Sequence, residues 1–168
     1  MKTANLTVFF QTKDPDQLIE NLESTTAIIS HTKAVQSKES SDYIMLVSYH
    51  STNIEETLTE ITAYPNTIIN RAMYLDKTKS REDNEAIRRT IATTIINQFN
   101  NRHKTIHYQN KPISSVSDYL KNKNSKNNID VIQFNNTLHC TIYNQNDEET
   151  YVFEAKNLQE KELTHDNS

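Results

Sequence analysis

Hydrophobic and polar positions keep two distinct rhythms along this chain. Leu6, Val8 and Phe10 occupy every second position of residues 4–12, which predicts a strand with one apolar face. Asp14-Pro15 then opens a helix, because Asp can accept from free N–H groups and Pro suits the first helical position. Leu18, Ile19 and Leu22 form its apolar stripe. Residues 27–36 return to a strand, and residues 37–41 turn the chain. The strand over residues 42–50 (DYIMLVSYH) is apolar on both faces. Asn53 heads a second helix with Ile54, Leu58 and Ile61 at helical spacing, ended by Tyr64-Pro65. Residues 67–75 read as a fourth strand.

The rhythm lengthens after residue 80. Ile87, Ile91, Ile95 and Phe99 recur every four residues with Ile96 beside them, which predicts an amphipathic helix over 81–101 capped by Ser80. A strand near 104–109, then Pro112, then a short helix around 115–123 follow. Residues 121–128 (KNKNSKNN) read as a polar loop. Residues 129–134, 137–143 and 149–155 read as three strands, with Asn135-Asn136 in the first turn as non-glycine tenants of positive φ.

The order β-α-β-β-α-β over residues 1–77 is the split βαβ, ferredoxin-like order: an antiparallel sheet with both helices on one face. The expected fold is therefore α+β. A ferredoxin-like unit at 1–77 precedes an αβαβββ half at 80–158 and a flexible tail at 159–168.

Composition narrows the chemistry. The 168 residues include no glycine, where about 12 would be ordinary. Glycine is what lets backbone approach a phosphate or turn through positive φ without steric cost. Its absence excludes Walker loops, G-x-G-x-x-G turns and G-x-S-x-G nucleophile elbows. The chain holds 20 Asn, 20 Thr and 17 Ile. Codons for such residues are AT-rich, which points to a low-GC bacterium, its phage or its plasmid. The single cysteine, Cys140, cannot close an intramolecular disulfide. The opening MKTANLTVFFQTKD lacks the pattern of a signal peptide, and no apolar run nears the roughly 20 residues of a membrane span. The expectation is a cytoplasmic protein without membrane contact.

Charge is uneven. Residues 81–128 carry +5 between flanks of −3 (1–80) and −6 (129–168), for a net −4. Arg81, Arg88, Arg89, Arg102 and Lys104 lie in this basic stretch, with Lys111, Lys121, Lys123 and Lys126 after them. Clustered cations of this kind are what phosphate binding requires. An amphipathic helix always has a charged side, so pairing between segments is the plainer reading.

Other constellations are sparse. His103 and His107 have ligand-like spacing, but no third ligand stands near them. His139 and Cys140 are strand neighbours and point to opposite faces. No nucleophile comes with a positioned base. Phe9, Tyr43 and Tyr49 would form an aromatic platform if they shared the open face of the first sheet, with Arg71 and Lys33 at its edges. RNA-recognition domains stack bases on such a surface, though their glycine- and aromatic-rich motif is missing here. Cover by the second half, or a sheet-to-sheet homodimer, would occupy the same face.

These observations lead to the expectation of a small non-catalytic accessory or regulatory protein, without cofactor or metal, acting through another protein. The alternative is a nucleic-acid-binding module using residues 81–126 or the Phe9, Tyr43 and Tyr49 face.

Overall fold

A computed structural model describes residues 3–25, 27–121, 123 and 128–156. The expected tail at 159–168 and most of the polar loop, Lys126 included, lie outside the described residues. The chain is mixed α+β, with four helices and two antiparallel sheets among the described residues. It divides into two compact units, residues 1–94 and 95–168. That division falls inside a helix, after the boundary between 77 and 80 expected from the sequence.

In the first unit, β1 (Leu6–Thr12), β2 (Ile28–His31), β3 (Val35–Gln36), β4 (Tyr43–Tyr49) and β5 (Thr67–Tyr74) form one sheet. Its order is β2-β4-β1-β5, with β3 also paired to β4. Helices α1 (Pro15–Glu23) and α2 (Ile54–Thr62) begin at the expected caps. The Asp14 side chain accepts from the Gln17 N–H (3.1 Å), and that of Asn53 accepts from the Glu56 N–H (3.2 Å).

Antiparallel register sets Leu6 opposite Tyr49, Val8 opposite Val47 and Phe10 opposite Met45. Those six side chains are wholly buried, with Leu18, Leu22, Leu58 and Ile61 of the helices in the same core class. Tyr64, just after α2, packs its ring on Phe10 at 5.8 Å between centroids. The other sheet face carries Thr7, Phe9 and Gln11 opposite Ser48, Leu46 and Ile44. It ends on a polar cluster in which Gln11 donates to Asp42 and accepts from Asn70, each at 2.8 Å.

Helix α3 (Arg81–Arg102) starts where Ser80 accepts from the Asp83 N–H (3.1 Å) and carries the dividing point between Thr94 and Ile95. Ile91, Ile95, Ile96 and Phe99 of its stripe are buried, and Ile87 is half-buried.

The second unit orders its sheet β7-β6-β10-β9-β8. The strands are β6 (Ile106–Tyr108), β7 (Lys111–Ile113), β8 (Asn128–Gln133), β9 (Thr137–Tyr143) and β10 (Glu148–Ala155); helix α4 (Val116–Leu120) follows β7. The inward face is Val131, Gln133, Leu138, Cys140, Ile142, Tyr151 and Phe153. Residues around Pro112 form an edge strand, where the missing N–H is tolerated. One expectation is corrected here. Asn135 and Asn136 make their turn without positive φ, which falls instead on Ser41, Asn66, Gln109 and Asn110.

Candidate anion-binding cleft

Three chain segments meet at one end of the second sheet. They are the exit of α3 (residues 102–105), the β8–β9 turn (134–136) and the end of β10 (155–156). Two backbone bonds join them: Ala155 N–H donates to the Asn136 carbonyl (2.8 Å) and Lys156 N–H to the Thr105 carbonyl (3.2 Å). Between them lies a cleft of about 390 Å3 lined by Arg102, His103, Lys104, Thr105, Asn136, Ala155 and Lys156. Among the described residues the lining holds three permanent cations and no carboxylate.

Arg102 is built into its position. Gln133 is 0% exposed on the core face of β8 and donates to Gln98 of α3 (2.9 Å). Its side-chain oxygen receives Arg102 Nη1 at 2.8 Å. The guanidinium also donates to the carbonyls of Phe134 (3.4 Å) and Asn135 (3.0 Å). All three acceptors are neutral, so among the described residues these bonds orient the guanidinium without pairing its charge. Burial draws its pKa below the usual arginine range without discharging it. A cation at a helix C-terminus is also favoured by the helix dipole.

His103 stacks on Phe99 with centroids 4.7 Å apart, and its Nε2–H donates to the Asn135 carbonyl (2.9 Å). Burial, then the Arg102 charge, lowers its pKa; the bond to Asn135 works the other way. Lys104 is exposed, and Lys156 reaches Asn110 at 3.4 Å. Phe134 stands at the β8–β9 turn, 47% exposed, its ring perpendicular to that of His139 at 5.8 Å between centroids.

Of the residues singled out in the sequence, Arg102, His103 and Lys104 are brought to this cleft. Arg81 pairs with Glu85 at 3.0 Å along its own helix. Arg88 donates to the Tyr74 carbonyl at 2.9 Å, and Arg89 is half-buried. Lys33 is exposed beyond β2. Phe9 lies across β1–β5 from Arg71, both half-buried.

Phe9, Tyr43 and Tyr49 do not form the expected platform. Phe9 pairs with Leu46, which puts it on the face opposite Tyr43 and Tyr49. Tyr49 is 0% exposed beneath the helices, and burial, reinforced by Tyr64, pushes its phenol pKa far up. His103 and His107 are also parted: His103 precedes β6, while His107 lies on it opposite Glu154 and Pro112. Among the described residues no group of three or more His, Cys, Asp or Glu could hold a metal ion.

His103 was weighed in the sequence only as a metal ligand; Lys156 in the lining and Gln133 behind Arg102 were not singled out at all. Gln133 had a legible signal, a polar residue at the core-facing end of Ile129, Val131, Gln133. Lys156 had none, since its place depends on the pairing of β10 with β6. No protein-family model, curated protein or solved structure matches this chain.

Proposed function

We propose that this chain is an accessory or regulatory protein that acts by binding, and that its cleft takes an anionic group of a macromolecular partner. The observation carrying this reading is the convergence of Arg102, Lys104 and Lys156 on one cleft, with Arg102 held by neutral oxygens among the described residues. A guanidinium so fixed is preorganised for an oxyanion and needs little ordering when one arrives. A cytoplasmic setting suits a chain whose one cysteine, Cys140, is a free buried thiol. The strand order β2-β4-β1-β5, with two helices between the strands, supports a ferredoxin-like assignment for residues 1–77.

The test is calorimetric titration of the full chain with pyrophosphate. Charge reversal at the two exposed lysines (K104E with K156E) is expected to weaken binding by about tenfold or more, since two of three cations change sign. Absence of pyrophosphate binding at low salt would sink the cleft as an anion site.

A protein partner, a second copy included, is the other reading. It is favoured by Tyr143 and Val152, exposed on the outward face of the second sheet, where Val152 lies opposite His139. Sedimentation over a wide concentration range would register self-association through that face.

A further inference from the structure

We infer that anion binding in the cleft is coupled to one proton, held at Nδ1 of His103 and shared with the ligand. This rests on the cleft reading above and deepens it by naming what regulates the site. His103 is a lining residue, and its Nε2 meets the Asn135 carbonyl at 2.9 Å. A carbonyl oxygen only accepts, so Nε2 carries the hydrogen and the neutral ring has its lone pair at Nδ1. The other tautomer would set lone pair against lone pair at Asn135, and stacking on Phe99 at 4.7 Å holds the ring where it is. Among the described residues Nδ1 has no hydrogen-bond partner and keeps access to solvent. The charges on the segments around it have one sign. Arg102 comes from α3, Lys104 from the segment after it and Lys156 from the end of β10, while the β8–β9 turn adds only neutral residues. Glu154 and His107, opposite each other on β10 and β6, alternate with the buried Phe153 and Ile106 and lie on the outward face. Burial, then the Arg102 charge, disfavours the protonated ring. An anion beside Arg102 offsets that charge and gives an Nδ1–H something to donate to, so the ring holds a proton more tightly when the ligand arrives. By reciprocity the proton strengthens the hold on the anion. A neutral ring instead turns a lone pair on the ligand, unless the ligand brings a hydrogen of its own. Hydrogen phosphate does; sulfate, a dianion of the same shape, does not.

Calorimetric titration of the full chain with sulfate and with hydrogen phosphate tests this. Sulfate keeps its charge between about pH 6 and about pH 8, so a change in its affinity over that range belongs to the protein. The affinity is expected to fall by about tenfold or more across it in the native chain, and to stay nearly flat in His103→Gln, whose side chain does not titrate. At about pH 8 hydrogen phosphate should bind the native chain about tenfold more tightly than sulfate, and the margin should close toward about pH 6, where the ring supplies the proton that sulfate lacks. In the native chain itself, NMR of the His103 ring should show its titration midpoint rising by about one pH unit when sulfate is added. Thermal melting of His103→Gln separates a lost proton site from a lost fold. If sulfate binds with the same pH profile in both chains and the His103 midpoint does not move, the coupling is overturned and the anion cleft stands. If K104E with K156E leaves sulfate binding unchanged, the anion sits elsewhere and the inference also fails. If sulfate, hydrogen phosphate and pyrophosphate all fail to bind across this range, the cleft reading falls first and takes this one with it.

Discussion

At the scale of single residues, the missing glycines moved the difficult backbone conformations onto other side chains. Ser41, Asn66, Gln109 and Asn110 all have positive φ. Asn accepts that region most readily among the non-glycine residues, which made turns at Asn reasonable to expect. Gln109 carries no such signal, so the tight β6–β7 turn, with two successive positive φ values, was invisible in the sequence. His103 gives the prediction that belongs here. Arg102, with Lys104 and Lys156 on the same cleft, faces its ring, and burial adds to the penalty on protonation. The folded state therefore takes up a proton less readily than the unfolded chain, whose histidine has the ordinary value of 6.5. Above that pH the ring is neutral in both states and its contribution is intact. As pH falls from 6.5 through the lowered folded value, the unfolded state binds the extra proton and the contribution is lost. Urea midpoints at about pH 5 and pH 7.5 should fall on acidification more in the native chain than in His103→Gln, which keeps a donor for the Asn135 carbonyl. An equal fall in both would show that His103 is not the group responsible.

At the scale of elements, periodicity located most strands and helices, and pairing decided what they present. The alternation in β1 and β4 separates two faces correctly, but it does not say which face of one strand meets which face of the other. The register does: Leu6 stands opposite Tyr49, so Tyr49 joins the core and Phe9 the other side. A one-residue slip would have reversed this assignment. Tyr49→Ala should accordingly act as a core truncation, costing about 3–5 kcal/mol as large aromatic deletions do, and should leave pyrophosphate affinity of the folded protein unchanged. Denaturant melts beside the titration would separate the two effects; unaltered stability with lost binding would restore Tyr49 to a binding surface. The recurrence of apolar residues by fours made α3 legible to within a residue. The cleft was not legible, because it is built from the ends of α3, β8 and β10, which only tertiary pairing brings together. What the sequence did carry was its charge, in Arg102 and Lys104.

At the scale of the whole molecule, a basic cleft sits on a chain of net charge −4. A single-stranded nucleic acid, if one binds, would be repelled by the total and attracted by the site, with ionic strength choosing between them. The Debye length is about 10 Å at 0.1 M salt and about 30 Å at 0.01 M. In the first case the phosphate senses mainly Arg102, Lys104 and Lys156; in the second it senses the acidic flanks as well. Three neutralised phosphates on a single strand imply a slope of log K against log salt of about −2. That slope is expected above about 0.1 M, and the plot should flatten toward about 0.01 M as long-range repulsion returns. Anisotropy titrations over this range would measure it. A slope steeper than about −4 would mean that more cations are engaged than the cleft contains. Arg81, Arg88 and Arg89 are then the side chains to reverse, and a shallower slope after that change would move the binding surface onto α3. If the slope stays near −2, their bonds to Glu85 and the Tyr74 carbonyl describe what Arg81 and Arg88 do. Within the basic stretch, Arg81 and Arg88 would then serve helix α3 while Arg102 and Lys104 serve the site.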